Sequence, residues 1–344
     1  MFRRRLRILV EDPRSRRDSA PRTPPISSGP SSHSSLDSHL ASGHDSFPSS
    51  ATVSASWPGI ANINKLVIFG DSYSQTTPHY ATPHPTKSDP LGVPWPGTTS
   101  TKPGEPNWLG HLVTNYSINP DLLIFNYAVS GSTLCDAKTQ LSDRAGSSFE
   151  HHLVRHKSRY PWTSQDTLFV CWFGINDLAH NMSSAGRSLY TTEAQLLLLF
   201  ELHAALYKRG ARNFLIINVP PVHASPGESP CLDLATDTPL ILVHEAWQRS
   251  ADASQLRIRD WNTKLQKVAD QFCSAHPAAT VLIFSSWDCL NAVFDEPRKH
   301  GFDPSDVERP YGGIWVDNLH LTSNVHDFIA RDVYQFLESV QAGG

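Results

Sequence analysis

Four short polar signatures hold the residue types that nucleophilic acyl transfer requires. Gly70-Asp71-Ser72 sets a hydroxyl behind a glycine that permits a tight turn, with the Ser72 N–H at the start of an expected helix, where it can face a developing anion. Asn126-Tyr127-Ala128-Val129-Ser130-Gly131-Ser132 offers the Gly131 N–H as an oxyanion donor, unobstructed by a side chain. Gly174-Ile175-Asn176-Asp177 adds an amide donor in Asn176. In Asp317-Asn318-Leu319-His320 a carboxylate stands three residues before an imidazole, so one turn brings it to Nδ1 and leaves Nε2 for a serine hydroxyl. Taken singly, each has a plainer explanation: a helix cap, a turn, a second turn, a surface Asp and His. Their position relative to the predicted strands gives them weight.

Those strands are near-continuous apolar runs: Lys65 to Phe69, Leu122 to Asn126, Leu168 to Phe173, Phe214 to Asn218 and Val281 to Phe284. Runs without alternation suit parallel strands covered on both faces. Between them, apolar residues spaced at threes and fours predict helices at Trp108 to Tyr116, Ser188 to Arg209, Val243 to Ala275 and Ser323 to Val340. The alternation predicts one α/β domain over 57–344. Three of the four signatures directly follow a strand, at the carboxyl ends where open parallel sheets build their sites. The stretch Thr76 to Pro106, rich in Pro, Gly and Thr and carrying Tyr80 and Trp95, is too long for an ordinary connection and is expected to border the site.

Composition narrows the class. The 344 residues carry net charge -4, and the chain beyond Ser56 is more acidic than the whole, so no basic stripe for nucleic acid is present. No apolar run is long enough to cross a membrane. Residues 1–56, rich in Ser, Pro and Arg and without Trp or Tyr, are expected to be a disordered tail. The start has a basic end but too few consecutive apolar residues for a signal peptide, so the compartment stays open. Five cysteines are an odd and sparse count, and Cys171, inside an apolar run, is expected to be a core residue. Asp317 and His320 with His326 are too few clear ligands for a metal site, and neither metal nor cofactor is expected. The sequence has no Gly-x-Ser-x-Gly elbow, dinucleotide or phosphate loop, or His-Glu-x-x-His motif.

In this order the four signatures resemble the blocks of the SGNH (GDSL-type) hydrolases, over residues 65–339. Asn107-Trp108-Leu109, Tyr127 to Gly131, and Trp315 to His320 with His326-Asp327 are similar to the fungal secreted group that includes carbohydrate esterase family 16 acetylesterases. Tyr73 stands where leucine names the family, Leu321 where proline is common, and an Arg-rich start where a signal sequence is expected. The resemblance implies a flavodoxin-like, three-layer α/β/α fold with a parallel sheet of about five strands, in agreement with the strand reading. It also implies a cofactor-free serine esterase with Ser72, His320 and Asp317 as catalytic residues. Ser72, Gly131 and Asn176 would form the oxyanion hole, with Asp71 and Asp177 supporting. Trp95 and Trp315 are the candidates for substrate binding.

The expected substrates are acetyl esters on small molecules or oligosaccharides, and the protein is expected to be a monomer, extracellular by resemblance. A lipase or thioesterase-type acylhydrolase of the same fold remains the alternative. A catalytically inactive carbohydrate-binding module is the alternative from another class.

Overall fold

A computed structural model describes residues 45–77, 84–116, 119–142, 146–180, 190–228 and 240–343. Their strands are β1 (Ser50–Thr52), β2 (Lys65–Gly70), β3 (Leu123–Asn126), β4 (Thr167–Trp172), β5 (Asn213–Ile217) and β6 (Thr280–Phe284). The α-helices are α1 (Trp108–Thr114), α2 (Ala137–Leu141), α3 (Ile175–His180), α4 (Thr192–Lys208), α5 (Leu240–Ala275), α6 (Ser286–Asp295) and α7 (Ser323–Ser339).

One sheet runs in the order β1-β6-β5-β4-β2-β3, with β2 to β6 parallel and β1 antiparallel on β6. The five expected strands are the five parallel ones. Every residue of β4, β5 and β6 is buried, which accounts for the unbroken apolar run that follows the polar first residue of each, Thr167, Asn213 and Thr280. Cys171 is among them, fully buried as expected. Helix α1 packs with α7 and α4 with α5, the helices lying on both sides of the sheet. Thr191 Oγ1 accepts the Ala194 N–H at the start of α4, and Gly210, at φ 106°, ends it. Residues 188 and 189 of that expected helix lie outside the described residues.

From β2 the chain steps outward to β3, then returns across β2 to β4. This change of direction is a topological switch point, where the loops leaving neighbouring strands part and open a crevice. The first three signatures leave β2, β3 and β4 there.

One boundary is corrected. The sequence reading placed 45–56 in the tail, whereas β1 pairs Ser50 with Ile283 and Thr52 with Val281. Around it, Trp287 Nε1 donates to Asp45 O at 2.8 Å, the Phe47 ring meets Trp287 edge-on at 5.5 Å, and Ser54 N donates to Thr280 Oγ1 at 3.0 Å. An edge ladder is made of backbone bonds, and Ser50-Ala51-Thr52 is largely exposed, so composition carries no trace of it. Residues 1–44 lie outside the described residues.

A chain starting at Trp57 is therefore expected to lose about 2–4 kcal/mol of stability from the Phe47 contact and the ladder. A chain starting at Asp45 keeps both. Thermal melts of the two should differ by several degrees, and coincident melts would refute the assignment.

Candidate active site

β2 ends at Gly70, where a Cβ would lie 2.7 Å from Trp172 O on β4. Beyond it the chain makes one turn, with Ser74 N and Gln75 N both donating to Asp71 O, at 3.1 and 3.0 Å. The expected helix behind Ser72 does not form. Asn126 Nδ2 donates to Ser74 O at 2.6 Å and Asn107 Nδ2 donates to Gln75 O at 2.9 Å, and these are carbonyls a continuing helix would have used. Ser72 thus lies on a turn fixed from two sides by buried amides, without a helix dipole behind it.

Ser72 is buried, with Oγ 2.9 Å from His320 Nε2. His320 Nδ1 lies 2.8 Å from Asp317 Oδ2, while Asp317 Oδ1 accepts the N–H groups of Leu319 and His320, both at 2.7 Å. The carboxylate therefore shapes the turn and orients the imidazole together. Burial would raise the Asp317 pKa, but the His320 N–H, the imidazole and the Leu319 N–H outweigh it and hold the carboxyl below its ordinary value. Asp317 is ionised at neutral pH.

The turn caps a small hairpin in which Val316 N donates to His320 O at 2.7 Å and Trp315 pairs with Leu321. Two bonds seat its tip: Gly227 N to Asn318 O, and Tyr73 Oη to Leu319 O, each 2.8 Å. Burial first, then the charges of Asp71 and Asp317, hold the Tyr73 hydroxyl well above its usual pKa, so it remains a donor. The residue that departs from the family's leucine ties the Ser72 turn to the Asp317–His320 turn.

Around a prospective oxyanion the donors differ. Among the described residues no acceptor takes the N–H of Ser72 or of Gly131. Gly131 adopts φ 77°, which favours glycine, and a Cβ there would meet nothing within 4 Å. Asn176 Nδ2 is already engaged, donating to Asp71 Oδ2 at 3.2 Å and Ser132 O at 3.0 Å. Asp71 also accepts the Tyr73 N–H at 3.0 Å, and Asp177 accepts the Leu134 N–H at 2.9 Å, just beyond the Gly131 turn. Burial pushes the Asp71 pKa up to about 7 against the Tyr73 N–H, with the Asp177 charge adding to the rise, and burial pushes Asp177 up to about 6.

The aromatic candidates separate. Trp315 is fully buried, its ring 5.5 Å from Phe294 and its Nε1 donating to Val307 O at 2.7 Å, so it is a core residue under the hairpin and not a substrate platform. Trp95 is 53% exposed, with its ring against Gly110 of α1. Tyr80 lies outside the described residues.

A second Ser, His, Asp series exists beside the first: Ser323 Oγ lies 2.9 Å from His111 Nε2, and His111 Nδ1 lies 3.2 Å from Asp327 Oδ1. Ser323 is buried and already donates to Pro106 O at 2.7 Å, so this hydroxyl is tied to the backbone. Buried His326, its pKa pushed down to about 3 by burial and then by His111 and His320, is neutral. Among the described residues no group of three or more His, Cys, Asp or Glu is arranged to hold a metal ion, and no helix is long and apolar enough to cross a membrane.

The sequence reading missed the supports. Gln75 Oε1 accepts the Ser130 N–H at 2.6 Å, and buried Gln140 bonds both Gly70 and Ser132. Asn126 had a signal, as a polar residue closing an apolar strand; the glutamines had none.

A hydroxyl, an imidazole and a carboxylate thus stand hydrogen-bonded in series at the switch point of a doubly wound α/β sheet. The chain belongs to the GDSL-like lipase/acylhydrolase family, whose model matches residues 66–333. It is 26% identical over 279 residues to an acetylesterase of Thermothelomyces thermophilus, covering 78% of this chain and 86% of that one. An acetylesterase of Hypocrea jecorina is 19% identical over 316 residues, with shares of 78% and 86%. Among solved structures, a variant of an acetyl xylan esterase from Geobacillus stearothermophilus covers 81% of this chain and 97% of its own, at 14% identity and a TM-score of 0.43. The protein is a carboxylic ester hydrolase. This sets aside the reading as an inactive binding module.

Proposed function

We propose that the protein is a serine esterase for short acyl groups, acting on acetyl esters of carbohydrates. The observation that carries the mechanism is the unbroken series from Ser72 Oγ through His320 to Asp317, at 2.9 and 2.8 Å. His320 takes the Ser72 proton as Oγ attacks the ester carbonyl, then returns it to the leaving alcohol, and water repeats the cycle on the acyl-enzyme. Asp317 keeps the imidazole in the tautomer whose Nε2 accepts, and stabilises the imidazolium. The unspent N–H groups of Ser72 and Gly131 receive the oxyanion. Asn176 joins them by giving up its longer bond, the one to Asp71. Each such donor contributes about 10²–10³ in rate.

Two relatives named acetylesterases support the acetyl group, and half-exposed Trp95 supports a sugar ring as its carrier. The test is a panel from 4-nitrophenyl acetate to palmitate, with acetate release from acetylated xylo-oligosaccharides measured alongside. The acetate ester and the oligosaccharide are expected to be the best substrates, with kcat/KM falling at least tenfold by the octanoate, as a short acyl pocket requires. A maximum at long chains would replace this reading with the lipase or thioesterase one.

A further inference from the structure

β3 leaves the sheet before β2 does. The ladder between them continues as Tyr127 N to Ile68 O at 2.9 Å and Val129 N to Gly70 O at 3.1 Å, but the Gly70 N–H then has no strand residue to meet. The side chain of Gln140, on α2, supplies the missing peptide group. Its Oε1 accepts the Gly70 N–H at 3.0 Å and its Nε2 donates to Gly70 O at 2.7 Å. The same Nε2 donates to Ser132 Oγ at 3.1 Å. A primary amide is the one uncharged side-chain group that presents an acceptor and two donors in a single plane, as this junction requires. Gln140 is buried, so the cost of leaving these groups unpaired is not relieved by water.

Gly70 stands two residues before Ser72, and Ser132 directly follows Gly131. One amide therefore joins the turn carrying the nucleophile to the turn carrying the second unspent N–H. We propose that Gln140 is a positioning residue for the oxyanion site, fixing the gap between the N–H groups of Ser72 and Gly131. The inference rests on the oxyanion reading above. The hydrogen bonds of Gln140 go to Gly70 and Ser132 and to none of Ser72, His320 and Asp317, so its effect falls on stabilisation of the tetrahedral state and not on proton transfer.

The test compares Gln140→Met, which keeps the length and volume but removes the amide, with Ser132→Ala, which removes only the bond to the second turn. In a folded Gln140→Met protein, kcat on 4-nitrophenyl acetate is expected to fall about 10²-fold, the scale of a displacement near 1 Å, with KM within threefold of the original. Affinity for an alkylboronic acid, which forms a tetrahedral adduct on the serine, is expected to fall by a similar factor, while the acid limb of the pH profile keeps its midpoint. Ser132→Ala is expected to lower kcat about threefold to tenfold. The double variant should be no slower than Gln140→Met, because the two substitutions break the same link.

Unchanged kcat in Ser132→Ala, or in a folded Gln140→Met, overturns the proposal, as does a loss confined to KM. Should Gln140→Met not fold, Ser132→Ala still decides. Ser72→Ala separates the two levels: if it is inactive while Gln140→Met turns over normally, Gln140 alone is misassigned. If Ser72→Ala keeps its activity, the serine reading falls and the Gln140 proposal with it.

Discussion

Replacing Ser72 by alanine is expected to remove turnover by a factor of about 10⁴–10⁶ and to leave the fold in place. Both expectations come from the same surroundings. The side-chain oxygen has its hydrogen bond with His320 Nε2, so its removal breaks no contact that holds the turn. The turn itself is made by Ser74 and Gln75 on Asp71 O and by the Asn107 and Asn126 amides, all of which survive. Thermal melting should therefore move by no more than about 1–2 °C, as for other small substitutions that break no buried network. Activity depends on the oxygen alone, because the oxyanion donors, the Ser72 and Gly131 N–H groups and the Asn176 amide, all remain, yet without a nucleophile they have no tetrahedral state to hold. A fluorophosphonate should add one mass increment to the Ser72 peptide of the parent protein and none to the variant. A folded variant within tenfold of the parent's turnover would remove Ser72 from the mechanism.

What the sequence disclosed follows from which interactions leave a mark on it. The parallel strands were legible because a strand covered on both faces is apolar at nearly every position, as Leu66 to Phe69 and Leu168 to Trp172 are. The four signatures were legible because, each unremarkable alone, together they supply a hydroxyl, an imidazole, a carboxylate and oxyanion donors, three of them at the carboxyl ends of strands of one parallel sheet. Backbone pairing leaves no such mark, and so β1 was missed. Trp315 was misread because an aromatic beside a motif looks the same in sequence whether it faces substrate or core. Phe294 and Val307, which bury it, come from chain that only the fold brings near. Gln140 lies 70 positions from the glycine it bonds, on a helix with no motif of its own. Side chains that do the chemistry were easier to see than side chains that hold them, since the former need particular groups and the latter only a group in the right place.

The second large effect is expected for Asp317→Asn, and it separates two roles that coincide in one carboxylate. Asp317 Oδ1 accepts the Leu319 and His320 N–H groups at 2.7 Å, which makes it the keystone of a tight turn. Asparagine serves such turns as well as aspartate does. If shaping the turn were the whole role of Asp317, the variant would fold and retain most of its activity. The other oxygen meets His320 Nδ1 at 2.8 Å, and here the two residues are not equivalent. With its carbonyl kept on the two backbone N–H groups, the new amide turns an NH₂ toward Nδ1. The imidazole can then accept at Nδ1 only by carrying its proton on Nε2, where it can no longer receive one from Ser72. With the amide flipped, the tautomer is right but the NH₂ faces two N–H donors and the turn loses its acceptor. Either arrangement disables the base, and kcat is expected to fall by about 10⁴, the usual loss when such a histidine is held in the wrong tautomer. The measurement is kcat on 4-nitrophenyl acetate, with the rate of fluorophosphonate labelling at Ser72 as a second readout that should slow in parallel. A folded variant losing less than about tenfold in both would leave Asp317 as a turn-former and return the search for the group that orients His320 to the rest of the site.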